Sequence, residues 1–206
     1  MTRAHLPQRD LRQLKHPFFA RPAIDLAHDL IGKVLVRKLK GRVLRARIVE
    51  TEAYIGVHDL ASHASKGRTK RTDVMFGAAG RAYVYLIYGM HEMFNIVAAE
   101  VGDPQAVLIR AAEPLEDWKA DLSGPGKLTR ALQISRALNG EDLTGEQLYL
   151  IDDRSDRPRV TLSPRIGVDY AGDWKHELLR FVDLKSHALS SRKGLPDLPS
   201  SGRPES

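Results

Sequence analysis

Hydrophobic and polar positions repeat with two different periods along the chain, and together they predict a mixture of helices and strands. An apolar stripe over 23–31 has helical spacing, with Pro22 suited to the first turn and Gly32 to the end. Strand-like runs follow at 33–39 and 43–54, joined by a turn at Lys40-Gly41. Two further strands at 82–88 and 93–99 predict a β-hairpin interrupted by Gly89, and a third strand is predicted at 106–111.

The second half of the chain continues the mixed pattern. A helix is predicted over 127–138, ended by Asn139-Gly140, and strand-like segments follow at 147–151, 159–168 and 174–182. No repeat or internal linker divides the chain, so we expect one α+β domain over 19–183. Residues 1–18 are expected to form an N-terminal arm. Residues 184–206, rich in Ser, Pro, Gly and charge, are expected to form a disordered tail.

The strand at 43–54 places carboxylates on its apolar side. Its even positions from 44 to 48 are apolar, and continued alternation puts Glu50, Glu52 and Tyr54 on the same inner side. A bulge could shift this parity. If it holds, desolvation raises the pKa of at least one carboxyl and suits it to base chemistry. The alternative is a buried salt bridge or a capping carboxylate.

Composition limits the class of protein. The 206 residues are 42% hydrophobic and 28% charged, which fits a globular domain with a core of its own. The lack of cysteine excludes disulfides, thiolate metal sites and cysteine nucleophiles. No run approaches the roughly 20 apolar residues of a membrane span, and residues 1–15 lack the apolar centre of a secretion signal. We therefore expect a cytoplasmic, nucleoid-associated protein with no membrane partner.

Basic residues are clustered rather than spread evenly. The formal charge is +6, and the six basic residues between positions 37 and 47 have no acidic residue among them. Lys66, Arg68, Lys70 and Arg71 form a second cluster. Such clusters suit a polyanion, since each neutralised phosphate releases counterions. The alternative is a solvated strand face.

Two segments resemble cofactor motifs and fall short of them. HEMFN (91–95) has Asn where a zinc protease needs its second His. GPGKL (124–128) lacks both the first Gly and the Ser or Thr of a nucleotide-binding loop, although a helix N-terminus there could hold one phosphate. His58 and His63 have no third ligand at a suitable spacing. We therefore expect no metal and no cofactor.

The predicted hairpin concentrates aromatic side chains. Tyr83, Tyr85 and Tyr88, three of the six tyrosines, lie within six positions. An aromatic run is more often part of a core than a binding platform. Here, however, Tyr88, Met90 and His91 fall at the tip, where large side chains would protrude toward a partner.

Eight short segments, in this order and spacing, carry a resemblance to a known family. They are VETEAY (49–54), ASH (61–63), YVYLIYGMH (83–91), NI (95–96), VLIRAAEPLE (107–116), GPGKL (124–128), RIGV (165–168) and AGDW (171–174). Together they resemble the 3-methyladenine (alkyladenine) DNA glycosylase family. The resemblance implies a curved, mostly antiparallel sheet with flanking helices and a protruding β-hairpin that inserts into DNA.

The resemblance also implies an activity. Such an enzyme flips alkylated or deaminated purines (3-methyladenine, 7-methylguanine, hypoxanthine, ethenoadenine) out of double-stranded DNA. It then hydrolyses the N-glycosidic bond and leaves an abasic site for base excision repair, without cutting the strand. Damaged duplex DNA would be the partner, and the protein would act as a monomer.

The same resemblance assigns roles at the reacting centre. Glu52 would be the general base that deprotonates the attacking water, and Arg110 with the backbone carbonyl of Ile166 would hold that water. Tyr54 and Tyr85 would sandwich the flipped base. Glu50 is interpreted as structural.

Other matched positions would shape the pocket and grip the duplex. His63, supported by Tyr83, would close the pocket, and Asn95 and Leu108 would line it, with Asn95 crowding out the exocyclic amino group of guanine. Contacts to DNA are assigned to the wedge and to basic residues, namely Tyr88, Met90, His91, Arg68, Lys70, Arg71 and Lys127.

Two other classes of protein remain as alternatives. A catalytically inactive damage-binding or architectural protein would keep Tyr88 and the basic clusters but would not need Glu52 and Arg110 together. A single-stranded RNA-binding module would present its tyrosines on an exposed sheet, without a buried carboxylate nearby.

Overall fold

An antiparallel sheet is the frame of the molecule in the computed structural model, which describes residues 11–116, 118–153, 155 and 158–197. Within these residues the sheet has nine strands in the order β1-β7-β2-β3-β6-β5-β4, with β9 pairing both β3 and β8. The strands are β1 Arg12–Gln13, β2 Val34–Leu39, β3 Arg42–Tyr54, β4 Ala82–Ile87, β5 His91–Ala98, β6 Gln105–Pro114, β7 Leu148–Asp152, β8 Val160–Ser163 and β9 Arg180–Asp183. The sheet and its helices confirm the α+β class.

The helices are short and pack around the sheet. They are α1 His16–Phe19, α2 Ala23–Leu30 and α3 Pro125–Ala131, with 3-10 helices at His63–Lys66, Asp73–Phe76, Arg136–Leu138 and Asp169–His176. The buried side of α2 belongs to the main core together with residues of β3, β5 and β6. Nowhere in the described part of the chain does a helix have the length and apolar character needed to cross a bilayer.

The predicted helix over 127–138 is two separate elements. It ends at Ala131, because Gln133 takes a left-handed backbone conformation with φ of +50° that no helix can continue through. A 3-10 turn then starts at Arg136, where the Ser135 side chain accepts a hydrogen bond from the N–H of Ala137. The apolar residues keep their helical spacing on both sides of this break, so the sequence pattern could not reveal that the helix ends there.

The predicted strands at 159–168 and 174–182 are also too long. Only Val160–Ser163 and Arg180–Asp183 pair in the sheet. Pro164 has no N–H to donate to a strand ladder, and the chain leaves the sheet there. The segment that follows covers the end of β3, where Tyr54 and Trp174 pack against a cluster of Ala61, Val168 and Ala171.

An irregularity in β3 decides which way its carboxylates face. The pairing of β3 with β6 shifts between Ile48 and Thr51. Ala46 and Ile48 before it, and Ala53 after it, belong to the same main core, and Thr51 bonds to the carbonyl of Ala27 in α2. Even positions therefore face this core before the irregularity and odd positions face it afterwards. The expectation of one continuous inner side was wrong: Glu50, Glu52 and Tyr54 face the opposite side of the sheet.

The hairpin of β4 and β5 exposes large side chains at its tip, as predicted. Ile87 pairs with His91, and the turn between them leaves Tyr88 83% and Met90 70% exposed. Tyr88 and Gly89 both have positive φ, +51° and +70°, as a type I′ turn requires. A tyrosine in this conformation is unfavourable, so the turn presents its side chain at a local cost in backbone energy.

Both ends of the chain are attached to the domain as far as they are described. Residues 11–18, predicted as part of an arm, include β1, which pairs with β7. Residues 184–197, predicted as part of a disordered tail, contain a buried Ser186 and a Ser190 bonded to Glu50, which differs from that expectation. Residues 1–10 and 198–206 lie outside the described residues.

Candidate active site

A pocket of about 320 Å³ opens between the β4–β5 hairpin, β6 and the segment around Ile166. Nine of the residues singled out from the sequence line it: Tyr54, His63, Tyr83, Tyr85, Tyr88, Asn95, Leu108, Arg110 and Ile166. They come from positions more than 100 residues apart, and the antiparallel pairing of β3, β6, β5 and β4 brings most of them together. The structure thus gathers the predicted substrate residues around one cavity.

Glu52 lies behind the wall of this pocket. Its side chain is fully buried, and its carboxylate accepts three hydrogen bonds from residues that line the pocket. The N–H of Ile166 donates to Oε1 at 2.7 Å, while the hydroxyl of Tyr54 and Nη1 of Arg110 donate to Oε2 at 3.0 and 3.2 Å. Ile166 therefore contacts Glu52 through its N–H, whereas the group that the resemblance assigns to holding the attacking water is its carbonyl.

Arg110 is shared between two buried carboxylates. Its Nη1 reaches Glu52, and its Nε donates to Glu50 Oε1 at 3.2 Å. Burial by itself lowers the pKa of this guanidinium, but Glu52 and Glu50 outweigh burial and raise it. Arg110 is consequently a fixed positive charge at the inner wall of the pocket.

Glu50 is the centre of a second set of contacts on the far side of Arg110. Its Oε1 also accepts from Nε of Arg180 and from the hydroxyl of Ser190, both at 2.7 Å. Its Oε2 accepts from the N–H of Ser190 at 2.6 Å. Glu50 does not line the pocket, so it reaches the site through Arg110.

His63, Tyr83 and Tyr85 form an aromatic cluster on one wall. The hydroxyl of Tyr83 lies 3.0 Å from His63 Nδ1, and the ring centroids of His63 and Tyr85 are 4.5 Å apart at an angle of 71°. Burial, assisted by the nearby Arg71, lowers the pKa of His63 to about 4. Burial raises the pKa of Tyr83 to about 12 and that of Tyr85 higher still. All three rings are therefore uncharged at neutral pH.

Tyr54 is held from two sides. Its hydroxyl is bonded to Glu52, and the guanidinium of Arg165 lies 4.8 Å from the centroid of its ring. Burial, followed by the charge of Glu52, raises the pKa of Tyr54 well above its usual value. The phenol therefore stays protonated and donates its hydrogen to the carboxylate.

A buried ion pair that the sequence did not reveal supports Tyr54. Arg165 donates to both carboxylate oxygens of Asp59, at 2.5 and 2.8 Å, and to the carbonyl of Ala53 at 2.9 Å. Both side chains are fully buried. Arg165 lies in one of the segments that carry the family resemblance. Its role depends on Asp59, which is 106 residues away in the sequence, and local spacing cannot indicate so distant a partner.

Asn95 and Leu108 are neighbours across β5 and β6. The side-chain amide of Asn95 donates to the carbonyl of Tyr83 at 3.1 Å, which sets the orientation of the amide at the pocket wall. Leu108 supplies an apolar surface beside it, on the same face of β6 as Arg110. The sequence prediction that Leu108 and Arg110 share a face is confirmed, since both line the pocket.

The pocket mouth is flanked by exposed aromatic side chains. Tyr88 and Tyr170 both line it, and Tyr170 is 71% exposed although its hydroxyl donates to the carbonyl of Ala61 at 3.1 Å. Beside the mouth His91 packs closely on α3, since a Cβ at Gly126 would lie 3.2 Å from its Nδ1. Tyr170 was missed from the sequence because it stands in a 3-10 helix with no periodic pattern.

The basic residues assigned to DNA lie outside the pocket lining. Arg68 is paired with Asp73 at 2.7 Å and Lys127 with Asp121 at 2.8 Å, in both cases at the surface. Lys70 is exposed, and the guanidinium of Arg71 lies 5.0 Å from the centroid of the Tyr85 ring. Surface pairs of this kind contribute little stability, so a phosphate can replace either carboxylate.

The first basic cluster, at 37–47, contains exposed cations, namely Lys38, Lys40 and Arg42, and cations that bond within the protein. Arg37 is only 7% exposed and donates to backbone carbonyls of residues 132 and 147. Arg45 is paired with Glu116, and Arg47 is paired with Asp153 at 2.6 Å. Three of the six cations are therefore neutralised or enclosed within the protein.

No metal-binding arrangement of three or more His, Asp or Glu side chains occurs among the residues that the structure describes. His63 contacts Tyr83 through Nδ1, and His58 lies 5.6 Å from Trp174, centroid to centroid. The two histidines considered as metal ligands from the sequence thus contact different residues.

The chain is similar in sequence to known proteins over most of its length. The family model described as methylpurine-DNA glycosylase (MPG) matches residues 17–187. A relative from Myxococcus xanthus is 51% identical over 189 residues, covering 89% of this chain and 95% of its own. Relatives from Anaeromyxobacter sp. and Methanocella arvoryzae are 49% and 47% identical, each over 87% of this chain and over 93% and 96% of their own. All three carry the provisional name 3-methyladenine DNA glycosylase. The chain belongs to the methylpurine-DNA glycosylase family.

Proposed function

We propose that the protein is a monofunctional DNA glycosylase that acts as a monomer on alkylated or deaminated purines in duplex DNA. The substrates would include 3-methyladenine, 7-methylguanine, hypoxanthine and ethenoadenine. Family membership supports DNA glycosylase chemistry, and the names of the relatives support 3-methyladenine as a substrate. The observation that carries the proposal is the buried pair of Glu52 and Arg110 behind an aromatic pocket.

The pocket suits a purine that has left the base stack. Extruding a base costs a few kcal/mol, and stacking on aromatic side chains recovers about 1–3 kcal/mol. Tyr54, Tyr85 and His63 would supply the stacking and closing surfaces. Because these rings are uncharged at neutral pH, they would not repel a purine made positive by N-alkylation, and an aromatic face attracts a cation.

Glu52 would act as the general base. A water held beside Arg110 would give a proton to the carboxylate as its oxygen bonds to C1′ of the sugar. The C1′–N9 bond would break, its electron pair leaving with the purine. A purine made positive by N-alkylation would leave neutral, whereas hypoxanthine or ethenoadenine would leave as an anion and take a proton from solvent. The products would be the free base and an abasic deoxyribose. The negative charge of Glu52 would also stabilise positive charge on the sugar, and a positioned base contributes roughly 10²–10⁴-fold in rate.

The hairpin tip would hold the duplex open. Tyr88, with Met90 and His91 beside it, would fill the gap left by the extruded nucleotide, which agrees with the exposure of Tyr88 and Met90. Lys70, Arg71, Arg68 and Lys127 would contact phosphates and set the register without reading sequence. Arg68 and Lys127 would exchange their carboxylate partners for phosphate.

The test is single-turnover release of hypoxanthine and of 3-methyladenine from duplex DNA, with no metal added. Undamaged duplex of the same sequence serves as the control substrate. Release from the damaged strand only is the expected result. Tight binding of the lesion without release of either base would instead support a damage-binding protein. Equal competition by undamaged single-stranded RNA would support an RNA-binding module.

A further inference from the structure

We infer that Ser190 is a positioning residue of the glycosylase reaction and acts through Glu50 on Arg110. This inference rests on the proposed function, because it assigns Arg110 to the wall that holds the attacking water. Ser190 lies three residues beyond the last position matched by the family model, residue 187. It therefore lies outside the part of the chain that the family model covers.

The contacts of Ser190 connect the C-terminal segment to the inner wall of the pocket. Its hydroxyl donates to Glu50 Oε1 at 2.7 Å and accepts from Arg110 Nε at 3.2 Å, while its N–H donates to Glu50 Oε2 at 2.6 Å. Ser190 thus contacts both oxygens of a fully buried carboxylate and one nitrogen of the guanidinium that pairs with Glu52.

The geometry of a guanidinium explains why this contact matters. The group is planar and rigid, so an orientation imposed at Nε also determines where the Nη atoms point. In Arg110 the Nε–H is divided between Glu50 Oε1 and Ser190 Oγ, both at 3.2 Å, while Nη1 meets Glu52. Without the Ser190 hydroxyl, Nε of Arg110 has one acceptor left, and the guanidinium plane can turn relative to Glu52.

The segment that carries Ser190 is anchored on both sides. Before it, the Ser186 hydroxyl donates to Glu113 at 2.5 Å. After it, the buried Arg180 donates to the carbonyls of Ser191 and Lys193. Because these anchors do not involve the Ser190 side chain, the backbone should keep its course when that side chain is shortened.

The charge balance of the buried cluster is unaffected by such a change. Glu50 and Glu52 carry two negative charges, and Arg110 and Arg180 carry two positive ones. A serine hydroxyl adds orientation but no charge. Replacing it therefore tests positioning separately from the cost of an unpaired buried ion.

The experiment compares Ser190→Ala with Ser191→Ala in the full chain. The Ser191 hydroxyl accepts from the N–H of Lys193 at 3.1 Å, whereas its link to Arg180 is through the backbone and survives the substitution. We expect Ser190→Ala to lower the single-turnover rate of hypoxanthine release roughly tenfold, the effect of one lost bond to a charged group. The Kd for lesion duplex should stay within about twofold, and Ser191→Ala should match the wild type.

A second measurement is independent of activity. Hydrogen exchange at the Arg110 Nε–H, followed by NMR in protein labelled with nitrogen-15, should be faster in Ser190→Ala and unchanged in Ser191→Ala. An active wild type with equal rates in both variants, or with unchanged exchange, would overturn the inference and leave the proposed function standing. A wild type that releases no base would refute the proposed function, and the exchange measurement would still decide whether Ser190 orders Arg110.

Discussion

Replacement of Glu52 by glutamine tests the proposed chemistry with the smallest possible change of shape. The carboxylate accepts from the Ile166 N–H, the Tyr54 hydroxyl and Arg110 Nη1. A glutamine oxygen can keep the bond from Ile166, but its NH₂ group cannot accept from Arg110. The variant therefore loses one base and one buried ion pair while retaining most of the packing.

The structure sets the size of both effects. Loss of a positioned base should lower the single-turnover rate by about 10²–10⁴-fold. Removing one partner of a buried ion pair costs about 3–5 kcal/mol. The lower end applies here because Arg110 keeps Glu50 at 3.2 Å. For a domain of this size, about 3 kcal/mol corresponds to a fall in Tm of roughly 6–12 °C.

Glu50→Gln is the matched control, since it removes the same charge from the same arginine two residues away. Because Glu50 also pairs with Arg180, this variant should lose at least as much Tm as Glu52→Gln. Its rate should fall only about tenfold, an indirect effect through Arg110. The assay is single-turnover release of hypoxanthine at 25 °C, with Kd for the lesion duplex measured alongside. Binding should stay within about threefold in Glu52→Gln. Equal rate losses in the two variants at equal Tm would refute a chemical role for Glu52.

Three further substitutions test the pocket and the DNA surface. Tyr88→Ser should weaken binding of lesion duplex by about tenfold or more, the loss of one stacking contact, without lowering Tm, because the ring is 83% exposed. Unchanged affinity would remove the hairpin tip from the DNA interface. Lys70→Ala should flatten the slope of log K against log salt by about 0.9, and an unchanged slope would exclude that contact. Because the pKa of His63 is lowered to about 4, its contribution to stability should be complete above pH 6.5 and lost as the pH falls toward 4. Thermal unfolding between pH 7.5 and 4 should show that loss in the wild type, whereas an equal loss in His63→Gln would contradict it.

The part of the site carried by the β4–β5 hairpin could be predicted from the sequence. The dense run of β-forming residues at 82–88, the strand-like segment at 93–99 and the glycine at the turn are local signals, and the structure has Tyr88 and Met90 exposed at the tip as expected. Leu108 and Arg110 also share a face as predicted, since both line the pocket. Each of these inferences needed only residues close together in the chain.

The carboxylates of β3 show where such reasoning stops. Counting alternate positions correctly predicted that Glu50 and Glu52 are buried, but it assigned them to the wrong side of the sheet. The irregularity between Ile48 and Thr51 reverses the parity, and it depends on how β3 pairs with β6. A register shift between two strands cannot be recognised from the pattern of apolar and polar residues in either strand.

By itself, the sequence determined the mixed class, the α2 helix, the hairpin with its exposed tip, and the short segments that resemble a DNA glycosylase. Tertiary structure alone decided the partners of the buried charges. Glu50 meets Ser190 across 140 residues, Asp59 meets Arg165 across 106, and Arg37 and Arg47 bond to groups of the protein itself. The physical reason is that a charged side chain is stable in the interior only when it is paired and hydrogen-bonded. The topology of the whole sheet determines which partner each charged side chain meets, and the local spacing of residues does not indicate that partner.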